Sequence, residues 1–294
     1  MTVTPLAAVS SARVTPAFRG RLGRDARSGH YAVPRRYRLH LSTACPDGLR
    51  IAVTHSLLGL SETCPVTWLP AVPDDPDGGH TALRPLYEAS AHRYTGPALA
   101  PVLADDWSGR IVSTHAPDIM RDLARGFGGD GPSLYPDGTE AIEWLCVSNI
   151  DEAAQHAGRA GAADDERAAA LDTLLAALGA LERRLAGRTW LAGDRLTAAD
   201  VELWATLVTL DTVHRHHLDA AAVHRLVDHP ALWAYARRLT AHPAFGAHLD
   251  LDGIARRHHD RCRGLEAAGA AVQILDWAAH AADGATAPAR TDRR

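Results

Sequence analysis

The sequence predicts two structural units in series, an α/β unit followed by an all-α unit. The length of 294 residues suits two domains of about 100–200 residues each. Short apolar segments, some of them alternating, precede Pro136, whereas apolar residues at helical spacing dominate after it. The hydrophobic content of 46% is sufficient for a sizeable core and excludes a disordered chain.

The first unit is predicted to span residues 35–130, after an arm at 1–34 that carries Pro, Gly and Arg without periodicity. Apolar spacing and turn residues predict its elements: a strand at 36–42, a helix at 49–58, a strand at 64–72, a hairpin at 100–103 and 110–113, and a helix at 117–123. The stretch 73–96, which begins with an acidic Pro/Gly loop, is interpreted as an insertion. The order βαβ followed by ββα is that of a thioredoxin-like domain.

The second unit is predicted to be a helical domain at residues 136–260. Apolar residues at helical spacing predict its helices, which are at 139–155, 164–185, 198–211 and 230–239. Thr197 and Asp200 form a pair typical of a capping box at the start of the third of these helices. Residues 261–294 are rich in alanine and end in basic residues, and we expect a C-terminal helix and a tail there.

Charge and composition exclude several classes of function. The formal net charge of −4 leaves no sequence-wide basic field for nucleic acid or anionic lipid. No apolar run approaches the ~20 residues of a membrane span, and the N-terminus lacks the features of a secretory signal. The four cysteines have no paired spacing, which argues against a disulfide framework. We therefore expect a cytoplasmic protein with reduced thiols and with neither a nucleic-acid nor a membrane partner.

Cys45 and Pro46 lie between the first predicted strand and the first predicted helix. Backbone N–H groups and the positive dipole end at a helix N-terminus stabilise a thiolate relative to a thiol. Pro46 suits the first helical position, where its missing N–H costs nothing. A reactive thiol is the favoured interpretation, and a buried structural cysteine is the alternative. No cysteine stands at position 48, so an external thiol must resolve any mixed disulfide formed at Cys45.

Pro101 follows Ala100 inside an apparent strand. A proline lacks the N–H that a strand ladder needs, so it is expected only at an edge or at a special bend. A bend that contacts a ligand and an ordinary edge-strand proline are the two interpretations.

Histidine is unusually abundant, with 17 residues. His214, His216 and His217 lie close together, and His258 and His259 follow further on. A metal site needs three or four converging ligands, and no acid or cysteine completes a recognisable set. We therefore expect solvated surface histidines and no metal. The dipeptide at 256–257, two arginines, is likewise interpreted as part of a solvated face.

Several motifs of the chain occur together in one known family. They are Arg36–Ser42, Cys45–Pro46 with Arg50, Leu57–Leu60, Tyr87, Tyr94–Gly96, Pro101–Leu103, Ile111–Ser113, Ile119, Leu191–Asp194, Thr197, Asp200, Asp211, Val213 and His217. With these residues the chain resembles the glutathione transferases over about residues 18–259. The insertion 94–96 and the region of His217 make it most similar to the xi class, the glutathionyl-hydroquinone reductases.

The resemblance implies a thioredoxin-like domain joined to the all-α glutathione-transferase domain, in a homodimer with a ligand cleft between the two domains. It implies that the Cys45 thiolate attacks the sulfur of a glutathionyl-quinol, releases the hydroquinone and forms a mixed disulfide, which a second glutathione resolves. The implied ligands are an electrophile and glutathione or another low-molecular-weight thiol. The residues implied in binding the thiol are Pro46, Ala100, Pro101, Thr114 and His115.

The chain departs from the family pattern at its ligand sites. Asp47 and Gly48 replace the Trp-Ala of the family's Cys-Pro-Trp-Ala, and the Asp47 carboxylate disfavours a second negative charge nearby. His115 and Ala116 stand where a Glu-Ser pair grips the γ-glutamyl end of glutathione. Tyrosines expected around the quinol pocket are replaced by Gln155, His214 and His258.

Three hypotheses follow. The first is a thiol-dependent reductase or transferase that acts through Cys45 on S-conjugates of quinols or related electrophiles. The second is the same fold recruited for a different thiol or for a natural-product substrate, with His214, His258 or His259 as general base. The third is a non-catalytic binding module.

Overall fold

The computed structural model of the chain describes residues 18–23, 27, 29–128, 133–137, 139–262 and 266–280. An α/β unit is followed by a helical unit, as the sequence predicts. Within the described ranges the strands are β1 Tyr37–Leu41, β2 Val66–Trp68, β3 Val102–Asp105 and β4 Arg110–Ser113. The helices are α1 Pro46–Leu57, α2 Arg84–Ser90, α3 Ala116–Phe127, α4 Thr139–Trp144, α5 Glu152–Ala157, α6 Asp164–Leu185, α7 Ala198–Thr212, α8 Ala220–Val227, α9 Pro230–Thr240, α10 Pro243–Gly246 and α11 Leu251–Cys262. Among these helices none has both the length and the apolar character that crossing a bilayer demands.

The four strands form one sheet in the order β2-β1-β3-β4. β2 is parallel to β1, and β3 is antiparallel to both β1 and β4. Successive side chains of a strand point to opposite faces, so Leu103 packs on one face while Val102 and Ala104 pack on the other. The first face is covered by α1 and α3, and the second by α2.

Helix α1 is buried on two sides and joins the two units. Ile51 and Ala52 pack into the core beneath the sheet, whereas Leu49 and Val53 pack into the core of the helical unit. All residues of α1 from 48 to 55 are buried. Because both units bury apolar surface on this helix, its N-terminus is held between them.

The helical unit contains the predicted helices and several more. A continuous helical stretch from α4 to α5 includes a π-helical turn at Leu145–Asp151, an irregularity often found at functional sites. The capping box at α7 is confirmed, because Asp200 accepts hydrogen bonds from the Thr197 N–H at 2.7 Å and from its hydroxyl at 2.8 Å. The sequence analysis did not predict α8, α10 or α11, which are short or lack a clear apolar period.

The predicted insertion at 73–96 is not wholly irregular, although the domain limits themselves remain predictions. It contains α2, and Leu83 and Tyr87 pack against Val102 and Ile111 on the second face of the sheet. A seven-residue helix offers too few turns for its apolar spacing to be recognised in the sequence.

The described part of the N-terminal arm lies against β4 and α3. The Gly20 N–H donates to the Val112 carbonyl at 2.8 Å, and Arg21 forms ion pairs with Asp118 and Asp122 of α3. Residues 1–17, 24–26 and 28 of the predicted arm lie outside the described residues.

The predicted C-terminal helix is wrong for residues 266–280. This segment holds two short 3₁₀ turns, Ala268–Ala271 and Ala278–His280, rather than an α-helix. Its carbonyl groups instead accept hydrogen bonds from Arg215, and the Trp277 indole donates to Asp211 at 2.7 Å. These long-range bonds outweigh the helical preference of alanine. Residues 281–294 of the predicted tail lie outside the described residues.

Candidate active site

Cys45 occupies the N-cap position of α1, directly before Pro46. Its backbone is extended, with φ −98° and ψ 130°, and its carbonyl accepts the Leu49 N–H at 2.9 Å. Its side chain makes no capping hydrogen bond and is half-buried. The thiol therefore lies beside the unpaired amides that open the helix, as the strand-Cys-Pro-helix pattern predicts.

The two residues after Pro46 explain how this turn is built. A Cβ atom on Gly48 would lie 2.1 Å from the Ser42 carbonyl oxygen, so the turn before the helix requires glycine here. Asp47 is exposed, and its carboxylate lies 3.2 Å from Nη1 of Arg50. That ion pair offsets part of the negative charge that the sequence analysis placed next to the thiol.

Sheet topology brings the predicted thiol-binding residues to one edge. β1 is antiparallel to β3, and β3 is antiparallel to β4, so the end of β1, the start of β3 and the end of β4 coincide. Cys45 follows β1, Pro101 directly precedes β3, and Thr114 and His115 follow β4. The Ala100–Pro101 peptide bond is cis. The edge thus combines a thiol, the backbone around Pro101 and the N-terminus of α3.

Two tyrosines hold the backbone that leads into Pro101. The Tyr87 hydroxyl donates to the Leu99 carbonyl at 2.7 Å, and the Tyr94 hydroxyl donates to the Pro97 carbonyl at 3.0 Å. Their rings pack against each other with centroids 4.8 Å apart. The sequence analysis identified both tyrosines only by resemblance. In the structure their hydroxyl groups hold the backbone before Pro101 in place through these hydrogen bonds.

His115 is the N-cap residue of α3, and its Nδ1 lies 3.0 Å from Oδ2 of Asp118. Asp118 also pairs with Arg19 at 2.6 Å and with Arg21 at 3.1 Å. Burial opposes ionisation of Asp118, but Arg19, His115 and Arg21 outweigh it and hold the pKa of its carboxyl below the ordinary value. The Thr114 N–H donates to the Phe18 carbonyl at 3.1 Å. Two arginines and a histidine therefore surround the acid nearest to this helix N-terminus.

The predicted substrate-pocket residues lie together across a cavity from the residues that flank Cys45. A cavity of about 190 Å³ is lined by Ala44 and Pro46 on one side and by Gln155, His214 and His258 on the other. An adjoining cavity of about 650 Å³ shares the last three of these residues. Residues from α5, α11 and the turn after α7 thus form a wall that faces the start of α1.

Arg257 is a site residue that the sequence analysis missed. It was interpreted as solvated, but its side chain is half-buried, lines the smaller cavity and donates to the Ala71 carbonyl at 2.9 Å. Burial lowers the pKa of Arg257, and its electrostatic interaction with Cys45 opposes that change. The adjacent Arg256 is exposed, as expected. No local pattern distinguishes the two arginines, because only the packing of α11 does so.

The prediction of solvated histidines is wrong for four residues. His214 and His258 are buried, and His216 and His217 are half-buried. Burial, together with the neighbouring His216 and His217, lowers the pKa of His258 to about 4. The fold also brings Cys262 and Glu266 to these histidines, although the sequence analysis found no such partners. The spacing of His258 and Cys262, one helical turn apart, was the available signal.

A buried ion cluster connects α1 to the wall. Arg50 lies 3.0 Å from Glu202 and 3.3 Å from Asp151, and it donates to the Thr206 hydroxyl at 3.0 Å. Burial lowers the pKa of Arg50, but Glu202, Asp151 and Asp47 outweigh it, so the net shift is upward. Asp151 also lies 3.7 Å from Nε2 of His214, which ties the cluster to the cavity.

Comparison with known proteins identifies relatives over most of the chain. Residues 164–238 match the family model of the glutathione S-transferase C-terminal domain. Over 256 residues the chain is 30% identical to the glutathionyl-hydroquinone reductase PcpF of Sphingobium chlorophenolicum, covering 80% of each protein. The xi-class glutathione transferase of Natrialba magadii is 27% identical with a TM-score of 0.74, covering 85% of this chain and 84% of that one.

The glutathione-bound structure of YqjG, a glutathione transferase homologue of Escherichia coli K-12, is also similar to this chain in fold and sequence. It is 25% identical with a TM-score of 0.74, covering 85% of this chain and 90% of that one. The match to PcpF extends through both structural units, so it is not confined to the helical domain. The chain therefore belongs to the glutathione transferase superfamily, in the xi class of glutathionyl-hydroquinone reductases.

Proposed function

We propose that this protein reduces glutathionyl-quinol conjugates, or related S-conjugates, through a mixed disulfide at Cys45. The observation that carries the proposal is the half-buried Cys45 thiol at the start of α1, at the sheet edge that also holds Ala100 and Pro101. Relatives named as glutathionyl-hydroquinone reductases support the choice of reaction. A relative solved with glutathione bound supports the choice of thiol.

The proposed reaction has two thiol-exchange steps. The Cys45 thiolate attacks the glutathione sulfur of the conjugate, the bond from sulfur to ring carbon breaks, and the ring carbon keeps the electron pair and takes up a proton from water. The products are the hydroquinone and a Cys45–glutathione disulfide. A second glutathione thiolate attacks the glutathione sulfur of that disulfide, which releases oxidised glutathione and restores the Cys45 thiolate. The glutathionyl sulfur of the conjugate and the sulfur of the second glutathione thus supply the two electrons, and Cys45 is regenerated.

The surroundings of Cys45 suit the first step. The amides at the start of α1 and the guanidinium of Arg257 both favour negative charge at the thiol. The backbone at Ala100 and Pro101 lies at the same edge and is available to pair with the cysteinyl part of glutathione. Gln155 and His214 line the cavity that would receive the quinol.

One observation favours a different thiol as the co-substrate. In glutathione the γ-glutamyl end carries an amino group, which needs an anion as partner. Asp118 is the acid at the start of α3, and Arg19, Arg21 and His115 already surround it. This environment favours a thiol whose distal end is anionic rather than zwitterionic. Mass spectrometry of the native protein against a thiol panel distinguishes the two: exclusive binding of glutathione would rule out the second candidate.

The central test is turnover of a glutathionyl-menadiol conjugate with glutathione, followed by chromatography of the quinol and of oxidised glutathione. The wild-type protein is expected to release both products in equal amounts, and Cys45→Ser is expected to release neither. Cys64→Ala is the matched control, because Cys64 is a buried cysteine of the same unit and should retain activity. Absence of turnover in the wild type, or full turnover in Cys45→Ser, would refute the mechanism.

The role of Arg257 has a separate test with a matched neighbour. Arg257→Gln should slow alkylation of Cys45 by iodoacetamide at neutral pH, because it removes the cation near the thiol. Arg256→Gln changes an exposed arginine on the same helix and should leave the rate unchanged. Equal rates for the two variants would contradict the assignment.

We also infer a cytoplasmic homodimer, which the class resemblance supports. Sedimentation equilibrium measures the oligomeric state directly, and a monomer at micromolar concentration would contradict this part of the proposal.

A further inference from the structure

A cluster of potential metal ligands lies at the far side of the larger cavity. His258 and Cys262 are four residues apart on α11 and therefore lie on the same face of that helix. His217, on the turn after α7, lies opposite them, with its Nε2 3.8 Å from the Cys262 sulfur. One donor atom from each of these three residues lies within 4.8 Å of the other two.

A second set of donors shares His258 with the first. Glu266 Oε1 lies 3.7 Å from His258 Nε2 and 3.6 Å from His216 Nδ1. The ring centroids of His216 and His217 lie 5.0 and 5.1 Å from the centroid of the His258 ring. Four side chains with nitrogen, sulfur or oxygen donors thus converge on the imidazole of His258.

His258 is the buried centre of this cluster. It is only 7% exposed, and its Nε2 has no hydrogen-bond partner among the residues that the structure describes. A buried polar atom without a partner is costly and is rare in folded proteins. A bound cation would satisfy this nitrogen.

The spacing of the donors suits a tetrahedral transition-metal ion. Zinc binds nitrogen at about 2.0–2.1 Å and sulfur at about 2.3 Å, which places a nitrogen and a sulfur donor of a tetrahedron about 3.5 Å apart. The Nε2 of His217 and the sulfur of Cys262 are 3.8 Å apart, and a donor atom of His258 lies within 4.8 Å of a donor atom of each. Only small side-chain adjustments would be needed to close the donors around an ion.

We propose that His217, His258 and Cys262 form a binding site for a zinc-class divalent metal ion, with Glu266 beside it. Two imidazoles and a thiolate select zinc, cobalt or a similar ion over magnesium and calcium, which prefer oxygen ligands. On binding, the Cys262 thiol loses its proton to solvent and the sulfur bonds to the metal.

The position of the site decides which type of metal site it is. His217, His258 and Cys262 all line the cavity of about 650 Å³. Three protein ligands with a fourth position open to a cavity are the arrangement of catalytic zinc sites, whereas structural sites are closed by four protein ligands. The open position would accept water or an anionic group of a ligand in the cavity.

The test is a titration of the tag-free, metal-stripped full-length protein with Co²⁺ alone, followed by displacement with Zn²⁺ in a calorimeter. One Co²⁺ per chain is expected to give thiolate-to-cobalt charge-transfer absorption and tetrahedral d–d bands. Cys262→Ser is expected to abolish the charge-transfer absorption, and both Cys262→Ser and His217→Ala are expected to weaken Zn²⁺ binding at least about tenfold.

The controls separate this site from other thiols and histidines. Cys45→Ser and His224→Ala, the latter changing an exposed histidine, are expected to leave the cobalt spectrum unchanged. Circular dichroism and a urea midpoint establish that each variant is folded. If Cys262→Ser does not fold, Cys262→Ala replaces it in the titration. Loss of the spectrum in Cys45→Ser, or equal Zn²⁺ affinity in folded Cys262 and His217 variants and the wild type, would overturn the proposal. The outcome is independent of whether the protein reduces quinol conjugates, because no thiol or quinol enters the titration.

Discussion

Glu202 makes the stability of this protein depend on pH in a calculable way. Its side chain is 8% exposed and pairs with Arg50 between α1 and α7. Burial raises the pKa of Glu202 from the ordinary 4.5 to about 7; Arg50 opposes this rise, and Asp151, Asp47 and Glu143 add to it. Two more carboxylates, those of Asp47 and Asp151, share the same guanidinium, so the cluster holds more negative charge than its one cation offsets. The perturbation is Glu202→Gln, which removes the titrating group and keeps the side-chain shape.

The sign and size of this pH dependence of stability follow from proton linkage. Between pH 4.5 and about 7 the folded protein keeps a proton on Glu202 that the unfolded chain has lost, so stability falls as pH rises and the loss is complete above pH 7. At 1.36 kcal/mol per unit of pKa, this amounts to about 2.5 kcal/mol between pH 5 and pH 8. Glutamine does not titrate. The free energy of unfolding of Glu202→Gln, relative to wild type, should therefore increase by about 2.5 kcal/mol over that interval.

Urea unfolding followed by tryptophan fluorescence at several pH values measures this difference. The comparison with wild type is essential, because buried histidines such as His258, whose pKa is lowered to about 4, destabilise the fold as pH falls and partly mask the effect of Glu202. Glu88→Gln, which changes an exposed glutamate on α2, is the control for loss of a carboxylate outside this cluster. A difference between Glu202→Gln and wild type that stays constant from pH 5 to pH 8 would show that Glu202 is already ionised in the fold.

Three further predictions concern stability and reactivity. Thr197→Ala removes the capping box of α7 and should lower the free energy of unfolding by about 1 kcal/mol, with a matching fall in the thermal midpoint; an unchanged midpoint would contradict it. Trp277→Ala removes a buried side chain that donates to Asp211, and limited proteolysis should then cut within 266–280 faster than in wild type, since an indole of this kind contributes about 3–5 kcal/mol to packing. Iodoacetamide at pH 7.5 should modify Cys45 before Cys64, because Cys45 is half-buried while burial raises the pKa of the Cys64 thiol to about 12; peptide mass spectrometry identifies the modified residue, and labelling of Cys64 first would contradict the structure.

Most of the fold could be predicted from the sequence, because the signals were local. The alternation before Ser42 predicts β1, and Asp164–Leu185 is a helix with the predicted bounds. Local patterns failed where contacts distant in the chain decide the conformation. Residues 268–271 are rich in alanine, yet Arg215 binds carbonyl groups of this segment and the chain forms a 3₁₀ turn rather than an α-helix.

In the candidate site, too, the part set by local sequence could be predicted and the part set by long-range packing could not. Cys45 and Pro101 are placed by backbone features, a helix start and a sheet edge, and the sequence near each residue is enough to find them. The opposite wall consists of side chains from α5, the turn after α7, α11 and the segment beyond it, and only packing of the whole helical unit brings these together. Arg256 and Arg257 show the difference, since neighbouring arginines on one helix have opposite environments. The proposed chemistry at the sulfur is therefore tested by changing Cys45, whereas the proposed choice of conjugate is tested by changing the wall, where Gln155 lines the cavity.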